Sequence, residues 1–422
     1  MGSRRPTSSV RFFLAAVLVG SFAFLEACTC NDDLDGIWTF EEPYDDAGGP
    51  IDVGEPNDPD DWDWAFPDEE IEPDPPEWEE TRWVTEVIED GVPRSFADND
   101  RTSVFIDRDG TVWLGYHRCY DPLCSNPILV VGHRLANQTE WVWEEIEPHS
   151  GLFGLQGIVA GYPIVVYLDA AAGELKAASR IGEGQWLIES LPVGHATAMD
   201  GFDVSRDHTR FYVSHAPSSS DTIDFFTYNI AAAYPVWRRL QPLDGARSAA
   251  YERGLKGGNQ MNFFLVHRDT WGSYLLSEYD LGTDTWTRST GQFPHAISSL
   301  LVRQNHEICT AGPAANDLRV TCGPFEDPRR HDQQIHGSSV YYLSSMIESR
   351  DQTLFVAYHS GSSQQDLYVA RRPDGGSWET ERVFSGDTFG ISTAIDHRDH
   401  LLMSYYHCTG SSCSLQLTER TP

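Results

Sequence analysis

The chain lacks the motifs of the common enzyme classes. It has no Gly-x-Ser-x-Gly nucleophile elbow, no phosphate-cradling P-loop, no His-Glu-x-x-His and no dinucleotide fingerprint. Positive charge is scarce: 30 Lys and Arg stand against 64 Asp and Glu, a formal net charge of −34. That balance offers no basic footprint, so nucleic acid is not an expected partner. It also gives no attraction to anionic lipid headgroups. Beyond the first 28 residues no apolar run is long enough to cross a bilayer. The eight cysteines never show the Cys-x-x-Cys spacing of a structural zinc site. Residues 31–80 contain no Lys or Arg at all, but 21 Asp and Glu and eight prolines. Such a segment repels itself and has little to bury, so residues 29–80 are expected to form an acidic, Pro-rich disordered tether.

Ahead of that segment, Arg4, Arg5 and Arg11 precede an apolar run from Phe12 to Leu25. A short apolar run behind a positive start reads as an export signal. Its end, Leu25-Glu26-Ala27-Cys28, resembles a bacterial lipobox. The resemblance implies a lipoprotein signal peptide over 1–28, lipidation at Cys28, and a place in the bacterial cell envelope at the outer membrane or cell surface. The alternative is an ordinary secretory signal. Either route leads to an oxidising compartment, where cysteines pair. Cys119/Cys124, Cys309/Cys322 and Cys408/Cys413 are close in sequence, each flanking a hairpin turn, and are expected to pair locally. Zinc at His117-Arg-Cys119 or His407-Cys408 is the alternative. Cys30 is left over.

From about residue 81 the chain repeats. Arg-Asp, then seven residues, then His occurs at Arg108…His117, Arg206…His215, Arg350…His359 and Arg398…His407. The arginine spacings of 98, 144 and 48 are two, three and one multiples of about 48. A period of about 40–50 residues built from four strands is a propeller blade. Apolar runs such as Thr-Val-Trp-Leu-Gly-Tyr at 111–116 suit strands packed on both faces. Trp83, Trp141, Trp186, Trp237, Trp286 and Trp378 open the outer strands, with one slot missing near His331. These tryptophans read as inter-blade packing, each burying on the order of 200 Å². Trp83 comes before the first inner strand, and the last unit stops after its third. The expectation is an all-β, seven-bladed β-propeller over 81–422, closed by an N-terminal strand that completes the last blade. Six blades with one degenerate unit is the alternative.

Tyr167-Leu-Asp169-Ala-Ala-Ala-Gly-Glu-Leu-Lys-Ala and Asp107-Arg-Asp-Gly-Thr-Val-Trp113 carry a resemblance to exported bacterial β-propellers of the broad sialidase-like (BNR-type) repeat. The resemblance implies architecture and no activity. Neither the true Asp-boxes nor the catalytic residues of sialidases can be placed on the chain.

His117, His215, His267, His359 and His407, with Asp169, fall at the ends of the second strand of their blades. As a polar ring at the channel mouth they are the candidate binding residues, since histidine is the commonest metal ligand and a natural general base. One metal cannot reach equivalent positions on separate blades, so no metal or other cofactor is expected. The competing reading is that each histidine ties its own loop or the neighbouring blade. The functional expectation is a monomeric, non-catalytic binding or scaffold module. It would be held to the membrane by its lipid and take an envelope protein or glycan. The alternative is a glycan- or polymer-processing enzyme with its site at the channel mouth.

Overall fold

The structure, a computed structural model, describes residues 82–421 with loop gaps, the larger at 95–101, 158–162, 193–200, 205–209, 216–220, 230–235 and 249–254. The expected signal peptide, Cys28, Cys30 and the tether lie outside the described residues. Every described element is a strand, and the strands pair into seven antiparallel sheets, the blades of a β-propeller.

Strands are lettered A to D from the inner to the outer edge of each blade. Blade one comprises Ser103–Ile106, Val112–Arg118, Ile128–Arg134 and Val142–Pro148. Blade two comprises Ser150–Gly157, Pro163–Asp169, Glu174–Gly182 and Gln185–Ser190. Blade three comprises Gly201–Val204, Arg210–His215, Thr222–Asn229 and Trp237–Arg239. In blade four, strand A is broken into Ala246–Ser248 and Leu255–Gly257, both pairing with Asn262–Asp269, before Tyr274–Asp280 and Thr285–Phe293. Blade five comprises Ser299–Val302, Ile308–Ala314, Asp317–Gly323 and His331–His336. Blade six comprises Val340–Glu348, Leu354–Ser360, Asp366–Arg372 and Glu379–Phe384. Blade seven takes Asp387–Ile395, Leu401–Thr409 and Ser412–Thr421 from the C-terminus, and its outer strand is Arg82–Pro93. There Trp83 is partnered with Arg420, Thr85 with Thr418 and Glu89 with Leu415, so the N-terminal strand closes the ring as its sequence position implied.

The B strands explain the sequence pattern. Pro163–Asp169 and Leu354–Ser360 are buried at every position. A strand covered on both faces has no solvent side, so it reads as an unbroken apolar run. One apolar cluster fills each of the seven boundaries between blades. Six of them receive the outer-strand tryptophan of the following blade. Trp186 packs with Trp113, Leu129 and Tyr167 between blades one and two. Trp83 packs against the cluster between six and seven, and Trp141 against that between seven and one.

In four of the six the indole N–H then reaches back to the preceding blade, while those of Trp186 and Trp237 are buried without a partner among the described residues. Trp141 donates to Glu86 at 3.1 Å, Trp378 to Gln333 at 2.8 Å, Trp83 to Glu381 at 2.8 Å and Trp286 to the carbonyl of Gln241 at 3.0 Å. A half-buried tryptophan suits this place, with an apolar body inside and a polar edge that needs a partner. Blade five has no such tryptophan. At the boundary between four and five Phe325 stands in, 6.0 Å from Phe264.

The A–B turns carry a second repeat. Gly110, His306, Gln352 and Asp399 all sit in the left-handed region, with φ of 83°, 65°, 65° and 63°. Each donates its N–H to the carbonyl three residues back. Aspartates cap these turns: Asp351 accepts from Thr353 N at 3.0 Å, and Asp396 from His400 N at 2.8 Å. Neighbouring turns are tied together. Asp399 accepts from Arg350 N at 3.0 Å, and the buried Arg303 guanidinium of blade five bonds Glu348 at 2.8 Å in blade six.

Candidate binding face

The six candidate residues, expected as one ring at the channel mouth, do not all face the same way around the ring. Side chains alternate faces along a strand. Trp113 faces blade two, so His117, four residues on in an unbroken register, faces blade two as well. Phe355 and Ala357 likewise place His359 toward blade seven. Leu401, Met403 and Tyr405 face blade six, which turns His407 toward blade six. The same alternation points Asp169 back to blade one, His215 to blade two and His267 to blade three. His117 and Asp169 therefore share one boundary, His359 and His407 share another, and His215 and His267 stand at two more.

The cause of the mismatch is a slip of one residue. In blades one and six the left-handed turn position is Gly110 and Gln352, one residue after the Arg-Asp aspartate, and the histidine follows seven later. In blade seven Asp399 itself takes the left-handed position. The motif at Arg398-Asp399…His407 is shifted by one, and in a strand one residue reverses the facing.

Each site has its own chemistry. Thr388 donates its hydroxyl to the carbonyl of Gln365 at 2.5 Å, so it accepts from His359 Nδ1 at 2.8 Å. That fixes the Nδ1–H tautomer and leaves Nε2 as a buried acceptor without a partner among the described residues. Burial holds the His359 pKa down at about 3. His267 donates from Nδ1 to the carbonyl of Arg268 at 3.2 Å and accepts Ser277 Oγ at Nε2, 2.8 Å away. Burial lowers its pKa to about 4. His407 stacks edge-on to Phe384 at 4.6 Å and lies against Gly386. Burial lowers its pKa while Asp387 opposes the shift.

Asp169 caps its own turn through Ala172 N at 3.0 Å and pairs with Lys176 at 2.9 Å. Lys176 also reaches Glu147 of blade one at 2.7 Å. Burial works against that ammonium, but the two carboxylates outweigh it and raise its pKa. His117 and His215 are buried. Among the described residues no group of three or more His, Cys, Asp or Glu side chains is placed to hold a metal ion.

The accessible chemistry of this face lies on the B–C turns beyond the histidines. Trp271, at the tip of the blade-four turn, is 90% exposed. Its turn is tightly made: Asp269 Oδ1 accepts from Trp271 N at 2.9 Å and Ser273 N at 2.8 Å, and Gly272 has φ +87°. Beside it Arg268 lies over the Tyr274 ring at 4.7 Å and donates to its hydroxyl. Tyr120 is 61% exposed in the blade-one loop, which the Cys119–Cys124 disulfide closes, and its hydroxyl donates to Glu145. Cys408–Cys413 staples the matching turn of blade seven, and Cys309–Cys322 bridges strands B and C of blade five. All three disulfides expected from sequence are formed. Nothing in the sequence singled out Trp271, which follows an Asp-Thr pair like many turn residues.

No protein-family model matches the chain, and no curated protein matches it in sequence. Solved structures do resemble it in fold. AofleA from Arthrobotrys oligospora is 12% identical with a TM-score of 0.48, covering 72% of this chain and 91% of its own. Aleuria aurantia lectin in complex with Fucalpha1-6GlcNAc is 10% identical with a TM-score of 0.47, over 68% of this chain and 96% of its own. Trypanosoma rangeli sialidase in complex with sialic acid is 12% identical with a TM-score of 0.40, over 76% of this chain and 54% of its own. The propeller fold expected from the repeats is formed by the seven sheets themselves, and a sialidase is among the solved structures that resemble it. The three disulfides are consistent with an extracellular or exported protein.

Proposed function

We propose that this chain is a non-catalytic binding module of the bacterial cell envelope, lipid-anchored at Cys28. Its binding face is the rim of B–C turns, and its ligand is a glycan or an envelope protein. The observation that carries the reading is Trp271. A tryptophan exposed to 90% on a turn fixed by three hydrogen bonds from its own backbone contributes nothing to the core. Rigid, exposed aromatics are the side chains that supply binding energy at small cost in lost freedom. Tyr120, on a covalently closed loop, is the second of this kind. The buried histidines with assigned partners are engaged in holding blades and turns together. They belong to the support of the face rather than to its contact surface.

The test is a binding screen of the whole chain against glycan and envelope-protein arrays. It is repeated with Trp271→Ala and with His359→Ala. The proposal expects Trp271→Ala to remove the hits while the melting temperature holds, and His359→Ala to lower the melting temperature. Hits that survive Trp271→Ala and Tyr120→Ala unchanged would contradict it. The anchor is tested separately by lipid labelling of cells, where Cys28→Ala should abolish the signal.

A further inference from the structure

Six boundaries of the ring are crossed by a chain that enters the next blade from a strand formed in sequence with its own sheet. Blade seven differs, because its outer strand comes from the other end of the folded region. The backbone runs on from Arg82–Pro93 into blade one, so the one joint without a covalent chain lies inside blade seven, where Arg82–Pro93 pairs with Ser412–Thr421. The strand is irregular in its middle, with register shifts between Val87 and Glu89 and between Glu89 and Val92. Its last residues are therefore pinned separately.

The pin is the stapled turn of blade seven. Across the sheet, Asp387 is partnered with Cys408, Cys408 with Cys413, and Cys413 with Val92. The row runs through all four strands with the Cys408–Cys413 disulfide at its centre. It is closed on itself beyond Val92. Arg94 N donates to the carbonyl of Ser411 at 3.0 Å, and the Arg94 guanidinium pairs with Asp387 at 2.6 Å. Cys408, Cys413 and Val92 are buried in the cluster between blades seven and one, and Cys119 of blade one packs on the same cluster. Cys408–Cys413 thus staples the turn that holds the end of the N-terminal strand, at the one joint the chain does not close covalently, and Cys119–Cys124 borders the adjoining boundary with blade one. Cys309–Cys322 lies within blade five, away from it.

We propose that the Cys408–Cys413 disulfide is a redox-sensitive latch of the propeller. Its reduction by a dithiol releases the N-terminal strand from Ser412–Thr421 and opens the ring within blade seven. In the exchange a thiolate of the reductant attacks one sulfur and forms a mixed disulfide, which its second thiol resolves. The protein gains two electrons and two protons as a pair of thiols, and the reductant leaves as a disulfide. Cys119–Cys124, with half-buried Cys119, is the more accessible of the two seam bridges and is reduced first.

The experiment is hydrogen exchange on the full chain, comparing wild type, Cys408→Ala/Cys413→Ala and Cys309→Ala/Cys322→Ala. The latch predicts that amides of residues 83–93 exchange about tenfold or more faster in the first double variant. They keep wild-type protection in the second. A Thr85→Cys/Thr418→Cys pair, placed where the two hydroxyls lie 2.9 Å apart, restores protection in the first background once oxidised. Unchanged protection of 83–93 after loss of Cys408–Cys413 would overturn the proposal. So would equal loss in both double variants, or failure of the added bridge to restore it. Should the first double variant not fold, the folded wild type treated with dithiothreitol gives the same reading over 83–93 against 308–323.

Discussion

The boundary between blades seven and one and the boundary between blades four and five carry opposite designs. The first lies against the N-terminal strand, which meets the C-terminal end of the folded chain inside blade seven. There Trp141 and Arg134 both bond Glu86, and Tyr116 and Arg118 both bond Glu89. Trp141 stacks on Trp143 at 5.2 Å, and two disulfides border the cluster. The second boundary lies in the middle of the chain. It has Phe325 in place of the tryptophan, and the blade before it begins with a broken inner strand. The backbone crosses both boundaries, but blade seven alone is assembled from the two ends of the folded region. Its N-terminal strand is fixed on the blade-one side by charge pairs and an indole hydrogen bond, with two disulfides beside it.

Truncating the two anchors sharpens the contrast most. Both residues are half-buried, but Trp141→Ala removes the larger ring together with a donor to Glu86 and should cost about 3 kcal/mol, whereas Phe325→Ala should cost about 2 kcal/mol. Chemical denaturation of both variants checks the order, and equal losses would erase the distinction.

Added bulk should reverse it. A methyl at Gly312 would meet the Ala296 carbonyl oxygen at 1.9 Å, a backbone atom in the loop between blades four and five. One at Gly132 would meet the Trp143 ring at 2.1 Å. Overpacking of this kind costs about 1–3 kcal/mol, and a side chain yields more readily than backbone. Gly312→Ala should therefore lower the melting temperature more than Gly132→Ala.

Acid should act on the interior boundaries rather than the seam. His267 and His359 have folded pKa values of about 4 and about 3, below the ordinary value of 6.5. The unfolded chain takes up their protons first, so their contribution is complete above pH 6.5 and is lost as pH falls from 6.5 toward 4. Unfolding followed over that range should show stability falling with pH, with a shallower fall in His267→Gln.

The smallest effect concerns the turns. Gln352 sits at φ 65°, where Gly110 stands in blade one, so Gln352→Gly should stabilise by up to about 1 kcal/mol. A drop in melting temperature would show that the glutamine side chain matters more than the backbone strain.

The ring was legible because its signals are repeated and local. Apolar B strands recur on a fixed period, and Trp83 without an inner strand before it implied closure. What escaped was register. His407 follows the same Arg-Asp spacing as His359, and only the left-handed φ of Asp399 shows that its turn is offset by one. A motif counts residues, whereas facing depends on where the turn closes. Trp271 escaped for a different reason: exposure is a property of the assembled face, and no spacing encodes it.

The claim beneath all of this is that the first strand of the folded region is the outermost strand of the last blade. Val84→Cys with Glu419→Cys, partners across that pairing, tests it directly. Under oxidation the account predicts a cross-link within a single chain, found by mass spectrometry as one peptide pair joining residue 84 to residue 419. A protein that folds, yet forms this bridge only between chains or not at all, would contradict it.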